Sequence, residues 1–137
     1  MTDRDTSAPA SADLWTAIDG LWAWLDAHGP HDGPHDGSQT LLLRLLKLSE
    51  EVGEVAQAVI GATGQNPRKG VTHTWEDVQA ELCDVVITAL VALRTLTPDA
   101  REEFTRHLAR VTERSLGPAQ AAPADTRAAP APRRPDA

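Results

Sequence analysis

The sequence predicts an all-α fold, an antiparallel four-helix bundle-like domain that assembles as a homo-oligomer. Three observations support this prediction. Apolar residues recur at the three- and four-residue intervals of an α-helix over long segments. Aromatic residues make up only 4% of the 137-residue chain, so the core must come from Leu, Val, Ile and Ala, a composition that favours helices over sheet. Pro and Gly are grouped between the apolar segments, where they predict loops.

The first predicted helix covers residues 13–28, where apolar side chains lie at helical spacing. They are Leu14, Ile18, Leu21, Trp22 and Leu25. Residues 1–12 are polar with Ala and Pro, and are predicted to form a flexible N-terminal arm. Two Pro-His-Asp-Gly tetrapeptides at residues 30–37 predict a loop, whose His and Asp side chains are interpreted as a solvated linker rather than a metal site.

The second and third predicted helices, residues 38–62 and 74–96, are the most apolar parts of the chain. Ser38 is a suitable N-cap for the second, and Thr74 with Asp77 three residues later resembles a capping box at the start of the third. The second helix is apolar on most of its circumference and must therefore pack on more than one side. This pattern predicts a homodimer or a homotetramer.

The end of the domain is marked by a fourth helix and a change of composition. Thr97 and Pro98 are suited to the N-cap and first position of a helix over residues 98–116, which Gly117 would end. Residues 118–137 are rich in Ala and Pro without apolar periodicity, and are predicted to form a disordered tail. The folded domain is therefore expected to span residues 13–117.

The overall charge and the single cysteine limit the classes of function. A formal net charge of −7 and a pI near 5.1 argue against a nucleic-acid polymer as partner, because such binders carry a basic face. Cys83 excludes an intrachain disulfide and is expected to be a small core residue. The chain lacks the layout of a signal peptide and any run of about 18 apolar residues, so we expect no membrane partner and a cytoplasmic location.

Two acidic clusters interrupt the apolar helices, where a carboxylate is costly unless something pairs with it. They are Glu50-Glu51-Val52-Gly53-Glu54 and Glu81-Leu82-Cys83-Asp84. An α-helix turns about 100° per residue, so Lys47, Glu51 and Glu54 share a narrow face. Glu50 lies at the edge of that face, and Glu81 and Asp84 are neighbours one turn apart on the third helix.

If these two faces meet, four or five carboxylates converge and repel one another. Mg²⁺ would relieve the repulsion, because it prefers carboxylate oxygens together with waters and substrate phosphates, and Mn²⁺ is a suitable substitute. Each motif alone is common on a solvated helix face. Their position within the most apolar segments favours a magnesium site for phosphate chemistry.

Together with Lys47, the two motifs resemble the MazG-like family of all-α nucleoside triphosphate pyrophosphohydrolases over roughly residues 38–96. The shared pattern is Glu-Glu-x-x-Glu, a gap of 26 residues here, and Glu-x-x-Asp. The resemblance implies hydrolysis of a nucleoside triphosphate between its α and β phosphates, giving a monophosphate and pyrophosphate, as in house-cleaning of the nucleotide pool. It implies Glu51, Glu54, Glu81 and Asp84 as Mg²⁺ ligands. Glu50 would assist catalysis through a second metal or as the base that orients the attacking water.

Four further positions are candidate contacts for substrate. Lys47, one turn before the ligands, could bind phosphate or simply pair with Glu51. Arg68 and Lys69 could reach the phosphate tail from the Gly-rich loop, although an ordinary solvated loop also explains them. Trp75 could stack on a base, although a Trp at a helix start often serves packing.

Two other functions are compatible with the same residues. One is a phosphoribosyl-ATP pyrophosphohydrolase-like enzyme, which belongs to the same superfamily. The other is a catalytically silent helical interaction or regulatory module that has kept the acids and lost turnover.

Overall fold

The computed structural model describes residues 11–29 and 37–117, and within these ranges it contains four α-helices and no strand. The helices are α1 (Ser11–His28), α2 (Gly37–Thr63), α3 (Trp75–Leu96) and α4 (Ala100–Leu116). The all-α prediction is therefore confirmed. Helix α1 begins two residues inside the predicted arm, and the rest of that arm, the loop at residues 30–36 and the tail at 118–137 lie outside the described residues.

The start of α3 carries the predicted capping box. The Thr74 hydroxyl accepts a hydrogen bond from the backbone N–H of Asp77 at 3.2 Å. The Asp77 carboxylate in turn accepts from the backbone N–H of Thr74 at 2.8 Å. Two of the N–H groups that a helix start leaves unpaired are thereby satisfied, and the helix continues through the β-branched residues to Leu96.

The junction between α3 and α4 differs from the prediction by two residues. Thr97 is the C-cap of α3, with its N–H donating to the carbonyl of Leu93 at 3.0 Å. Its hydroxyl accepts from the backbone N–H of Asp99 at 3.2 Å, as an N-cap side chain would. The residues between form a turn, so α4 begins at Ala100 rather than at Pro98.

Helices α2 and α3 form an antiparallel hairpin. Arg44, near the start of α2, donates to the hydroxyl of Thr95 near the end of α3. Glu51, farther along α2, instead meets residues from the first half of α3. In this antiparallel pair, residues later in α2 contact residues earlier in α3. The two helix faces that carry the acidic motifs therefore lie next to each other.

Helix α1 packs against α3 through a small apolar core. Ile18 is 1% exposed and clusters with Leu90 and Val91, and Trp15 and Trp22 pack on the edge of this cluster. Arg94 of α3 adds polar contacts to α1. Its Cζ lies 4.1 Å from the centroid of the Trp22 ring, and its Nε donates to Asp19 Oδ1 at 2.7 Å. These contacts and the hairpin belong to one compact unit that ends at Glu102, whereas most of α4 belongs to a second unit that begins at Glu103. The four-helix bundle arrangement stays a prediction.

Large apolar side chains of the hairpin remain half or more exposed in the single chain. They include Leu42, Leu43, Leu46 and Val52 of α2, with Leu82 and Val86 of α3. Cys83 shares this exposed face one turn before Val86, so the prediction that it lies in the core is wrong. Among the described residues, no helix combines the length and apolarity needed to cross a membrane.

The connection from α2 to α3 folds back onto the last turns of α2 at Gly61. The Gly61 carbonyl accepts from the backbone N–H of Thr72 at 3.0 Å. A Cβ placed on Gly61 would lie 2.6 Å from the Thr72 hydroxyl oxygen and closer still to the imidazole of His73. Only the absence of a side chain at position 61 therefore allows the connection to close on the helix.

Replacement of Gly61 by Ala is expected to destabilise the protein by about 1–3 kcal/mol, the usual cost of forcing an extra carbon into a packed site. Gly20 provides the matched control, because a Cβ there meets nothing within 4 Å in the interior of α1. Gly20→Ala should stabilise the protein by about 0.5–1 kcal/mol through the higher helix propensity of Ala. Denaturant unfolding of the two variants gives the comparison, and equal stabilities would contradict the close packing at position 61.

Candidate active site

Three carboxylates from α2 and α3 form an acidic triad. One carboxylate oxygen each from Glu51, Glu81 and Asp84 lies within 4.8 Å of the others. Glu51 is 7% exposed and is the one buried charged side chain among the described residues, whereas Glu81 is half-buried and Asp84 is exposed. The antiparallel hairpin therefore brings together three of the four predicted metal ligands at the edge of solvent.

Lys47 pairs with the triad from one turn earlier on α2. Its Nζ lies 2.7 Å from Glu51 Oε1 and 2.9 Å from Glu50 Oε2. The hydrogen bonds to Glu51 and Glu50 raise the pKa of Lys47, and the bond from Lys47 is the main reason that the pKa of Glu51 is lowered. Glu51 is thus held ionised despite its burial, and Glu50, whose side chain is 59% exposed, stands at the outer edge of the cluster.

Glu54, the fourth predicted ligand, lies against the triad. Its pKa is raised, first by a hydrogen bond with Glu51, then by burial and by the negative charges of Glu51 and Glu81. A hydrogen bond between two carboxyl groups requires one proton, and it is lost when both are ionised. The metal-free cluster is therefore self-repelling once both groups are ionised.

Glu54→Gln is expected to raise the melting temperature of the metal-free protein at neutral pH. A raised pKa in the folded state means that wild-type stability falls as the pH increases from about 4, the unfolded value, through the raised folded value. The neutral amide avoids this loss and can donate to Glu51 at every pH. Melting curves in chelator at neutral and acidic pH test the prediction, which fails if the gain is absent at neutral pH or equally large in acid.

A cavity of about 740 Å³ lies between α1, α2 and α3, and Lys47 connects it to the acidic triad. Lys47 pairs with Glu51 and lines the cavity, and Thr88, another lining residue, lies one turn beyond Asp84 on α3. The remaining walls are largely apolar, with a few polar groups. The lining comprises Leu21, Trp24, Leu25, Asp26, Gly29, Gly37, Thr40, Leu43, Arg44, Lys47, Ile87, Thr88 and Val91.

Sequence reasoning missed most of this cavity, because its walls come from three helices whose relative placement no local pattern specifies. Arg44 offered a signal, since it is a cation in an apolar stretch and lies seven residues before Glu51, hence on the same helix face. Trp24 is 57% exposed and stacks on His28 with ring centroids 4.7 Å apart. Apart from its helical spacing, the sequence contained no signal that Trp24 lines a cavity.

The predicted substrate contacts of the connecting loop are not in contact with the triad. Arg68 and Lys69 lie in an exposed turn, where their backbone N–H groups donate to Asn66 at 3.1 Å each. Within the described ranges, no hydrogen bond or ion pair joins their side chains to the acids. Trp75 is 56% exposed at the first position of α3, six residues and so about 9 Å of helix axis before Glu81.

No protein-family model, curated protein or solved structure matches this chain. The resemblance carried by the two acidic motifs therefore stays a prediction.

Proposed function

We propose that this protein is a Mg²⁺-dependent nucleotide pyrophosphohydrolase of the MazG-like type, which cleaves a nucleoside triphosphate to a monophosphate and pyrophosphate. The observation that carries the proposal is the acidic triad, paired with Lys47, which also lines a cavity of about 740 Å³. Pockets that bind small molecules are mostly apolar, measure about 300–1,000 Å³ and carry a few convergent polar groups. A site for polyphosphate thus adjoins a site for a nucleoside.

The residues present fit a hard divalent cation. Glu51, Glu81 and Asp84 offer three carboxylate oxygens within 4.8 Å of one another, and Glu54 lies in hydrogen-bonding contact with Glu51. Mg²⁺, or Mn²⁺ in its place, takes such ligands and leaves positions for water and phosphate. When bound, the cation supplies positive charge to the phosphate oxygens and lowers the pKa of a water molecule at the site.

Two side chains, Lys47 and Glu50, have the remaining roles in catalysis. Lys47 binds the phosphate chain, since it pairs with the acids and also lines the cavity. Glu50, exposed at the edge of the cluster, orients the attacking water and accepts its proton. The water oxygen bonds to phosphorus, the bridge between the α and β phosphates breaks, and pyrophosphate leaves with the bonding electrons. Arg68, Lys69 and Trp75 remain candidate contacts at the loop end of the hairpin.

The exposed apolar side chains of the hairpin support assembly into a homodimer or homotetramer. Leu42 and Leu46 of α2 are 64% and 67% exposed, and Val86 of α3 is 55% exposed. Apolar surface of this kind in a single chain marks an interface. A second copy with the same helical surface would cover it with twofold symmetry.

Release of pyrophosphate from a panel of common and damaged nucleoside triphosphates, with Mg²⁺ present, tests the proposal. We expect a monophosphate and pyrophosphate in equal amounts, and no product in chelator. Cleavage confined to phosphoribosyl-ATP would instead favour the related enzyme of that specificity. Absence of turnover with every nucleotide, and no stabilisation by metal, would leave a silent interaction module as the better description.

A further inference from the structure

The α1 wall of the cavity carries a tryptophan that the proposed reaction does not use. Trp24 lines the cavity and is 57% exposed. Among the described residues that line the cavity, it is the one aromatic side chain, and its neighbours on the same wall, Leu21 and Leu25, are aliphatic. Aromatic and aliphatic walls of this kind are typical of pockets that bind small molecules.

The packing of α1 on α3 does not depend on Trp24. Trp22, two positions earlier and so turned by about 200° around the helix axis, packs against the cluster that contains Ile18. The same ring lies 4.1 Å from Cζ of Arg94. Trp24 lies on another side of α1, and its replacement should therefore leave the contact between α1 and α3 intact.

His28 holds the Trp24 ring from one side. The two rings are stacked, with their centroids 4.7 Å apart and their planes at 20°. His28 Nδ1 donates to the backbone carbonyl of Trp24 at 2.8 Å, which fixes the imidazole in this position. One face of the indole is therefore covered, and the opposite face is left for a ligand. A ring held in place before binding loses less rotamer freedom when a ligand covers it.

We propose that Trp24 is the platform on which the nucleobase of the substrate stacks, and that the site therefore accepts purine and pyrimidine nucleotides alike. This inference rests on the proposed function and specifies its substrate class. Every base has a π-face, so stacking on an aromatic side chain is tolerant of the identity of the base.

The charged residues beside Trp24 do not narrow this choice. Asp26 and Arg44 line the same cavity, with Asp26 Oδ1 lying 3.9 Å from Arg44 Nη2. A carboxylate accepts hydrogen bonds and a guanidinium donates them. Every base offers an N–H donor beside an acceptor, so the pair can contact any of them. The Asp26 side chain is also 63% exposed, where water competes for the same hydrogen bonds.

The position of Trp24 agrees with this role better than that of Trp75. Lys47 on α2 and Trp24 on α1 line one cavity, so a nucleotide with its phosphates at Lys47 and the acids can place its base against Trp24. Trp75 does not line this cavity and lies about 9 Å before Glu81 along the axis of α3. The structure therefore favours a different tryptophan from the one that the sequence suggested.

Affinity for nucleoside monophosphates tests the inference apart from catalysis. Calorimetric titration of the full chain with AMP, GMP, CMP and UMP in Mg²⁺ is compared with ribose 5-phosphate, which lacks a base. We expect each nucleotide to bind at least about 5-fold tighter than ribose 5-phosphate, the lower end of what stacking on an aromatic ring contributes. A gain restricted to some of the bases, or absent for all four, would overturn the inference.

Trp24→Ala isolates the contribution of the ring. We expect it to bind all four nucleotides at least about 5-fold more weakly than the wild type, with unchanged affinity for ribose 5-phosphate. Trp24→Phe keeps a smaller aromatic face and should restore part of the difference. Trp75→Ala is the matched control, because Trp75 is 56% exposed, and it should bind nucleotides as the wild type does. Loss of the base-dependent affinity in Trp75→Ala and its retention in Trp24→Ala would overturn the assignment.

Tryptophan fluorescence gives a second measurement that does not depend on comparing affinities. A base stacked on an indole quenches its emission, so saturating AMP or GMP should quench the wild type and Trp75→Phe. The quenching should disappear in Trp24→Phe, which keeps an aromatic side chain on α1. Equal quenching in the wild type and Trp24→Phe would place the base elsewhere.

The two proposals fail in different ways. Pyrophosphate release from triphosphates with the same KM in the wild type and in Trp24→Ala would leave the pyrophosphohydrolase intact and overturn the role of Trp24. Nucleotide binding that depends on Trp24, without pyrophosphate release from any triphosphate, would support the stacking platform and reject the enzyme.

Discussion

Asp84→Asn is expected to lower pyrophosphate release at least about 100-fold, the upper range seen when even the groups behind metal ligands are changed. Asp84 contributes one of the three converging carboxylate oxygens, and its amide replacement removes a negative charge from the place where a cation would bind. Because the side chain is exposed, the substitution should leave the fold unchanged. Initial rates of pyrophosphate release at saturating Mg²⁺ give the measurement.

Glu51→Gln should have an effect at least as large, since Glu51 combines the buried carboxylate with the bond to Lys47. This variant also changes the hairpin interior, so its helical content needs to be checked by circular dichroism. Glu76→Gln is the control, an exposed acid in the first turn of the same helix as Asp84. Wild-type turnover in both Asp84→Asn and Glu51→Gln would reject the acidic triad as the catalytic centre.

Mg²⁺ is expected to raise the melting temperature of the wild-type protein by roughly 6–11 °C at ten times its dissociation constant. Binding to the folded state alone contributes about 1.4 kcal/mol at that concentration, and each kcal/mol shifts a domain of about 60–100 residues by roughly 4–8 °C. The physical cause is relief of the repulsion among the converging carboxylates of the metal-free cluster. Mn²⁺ should act in the same direction.

Ionic strength must be matched with a monovalent salt, because screening alone weakens repulsion among the acids. Asp84→Asn should lose most of the magnesium-dependent shift, and the exposed variant Glu113→Gln should keep it. A wild-type melting temperature that does not respond to Mg²⁺ or Mn²⁺ throughout the titration would show that the three carboxylates hold no divalent ion.

Local patterns in the sequence predicted the helices and their ends well. Thr74 and Asp77 predicted the start of α3 because the capping box is a contact between residues three apart. The acids of α2 and α3 were predicted to share a face because helical periodicity alone orders side chains around an axis. That Glu51 meets Glu81 and Asp84 required only that the two faces point toward each other.

Features that depend on packing between distant segments were not predictable in this way. The cavity needs α1, and the placement of Trp24 and Asp26 against α2 follows from contacts such as that between Ile18 and Leu90. Cys83 was misplaced because nearly every residue around it is apolar, so periodicity could not distinguish the packed side of α3 from the exposed one. Arg68 and Lys69 were predicted to contact phosphate because they are positively charged loop residues. Charge alone does not show how far a residue lies from the acidic triad.

The order in which these contacts form during folding follows from their separation along the chain. The α2–α3 hairpin closes across residues 64–74, whereas the bond from Arg94 to Asp19 spans 75 positions. Loop-closure entropy makes the longer closure costlier by about 2 kcal/mol. Helix α1 is therefore expected to dock last, onto a hairpin whose carboxylates have already met. A folding intermediate in which α1 has not yet docked would contain the acidic triad and would lack the α1 wall of the cavity.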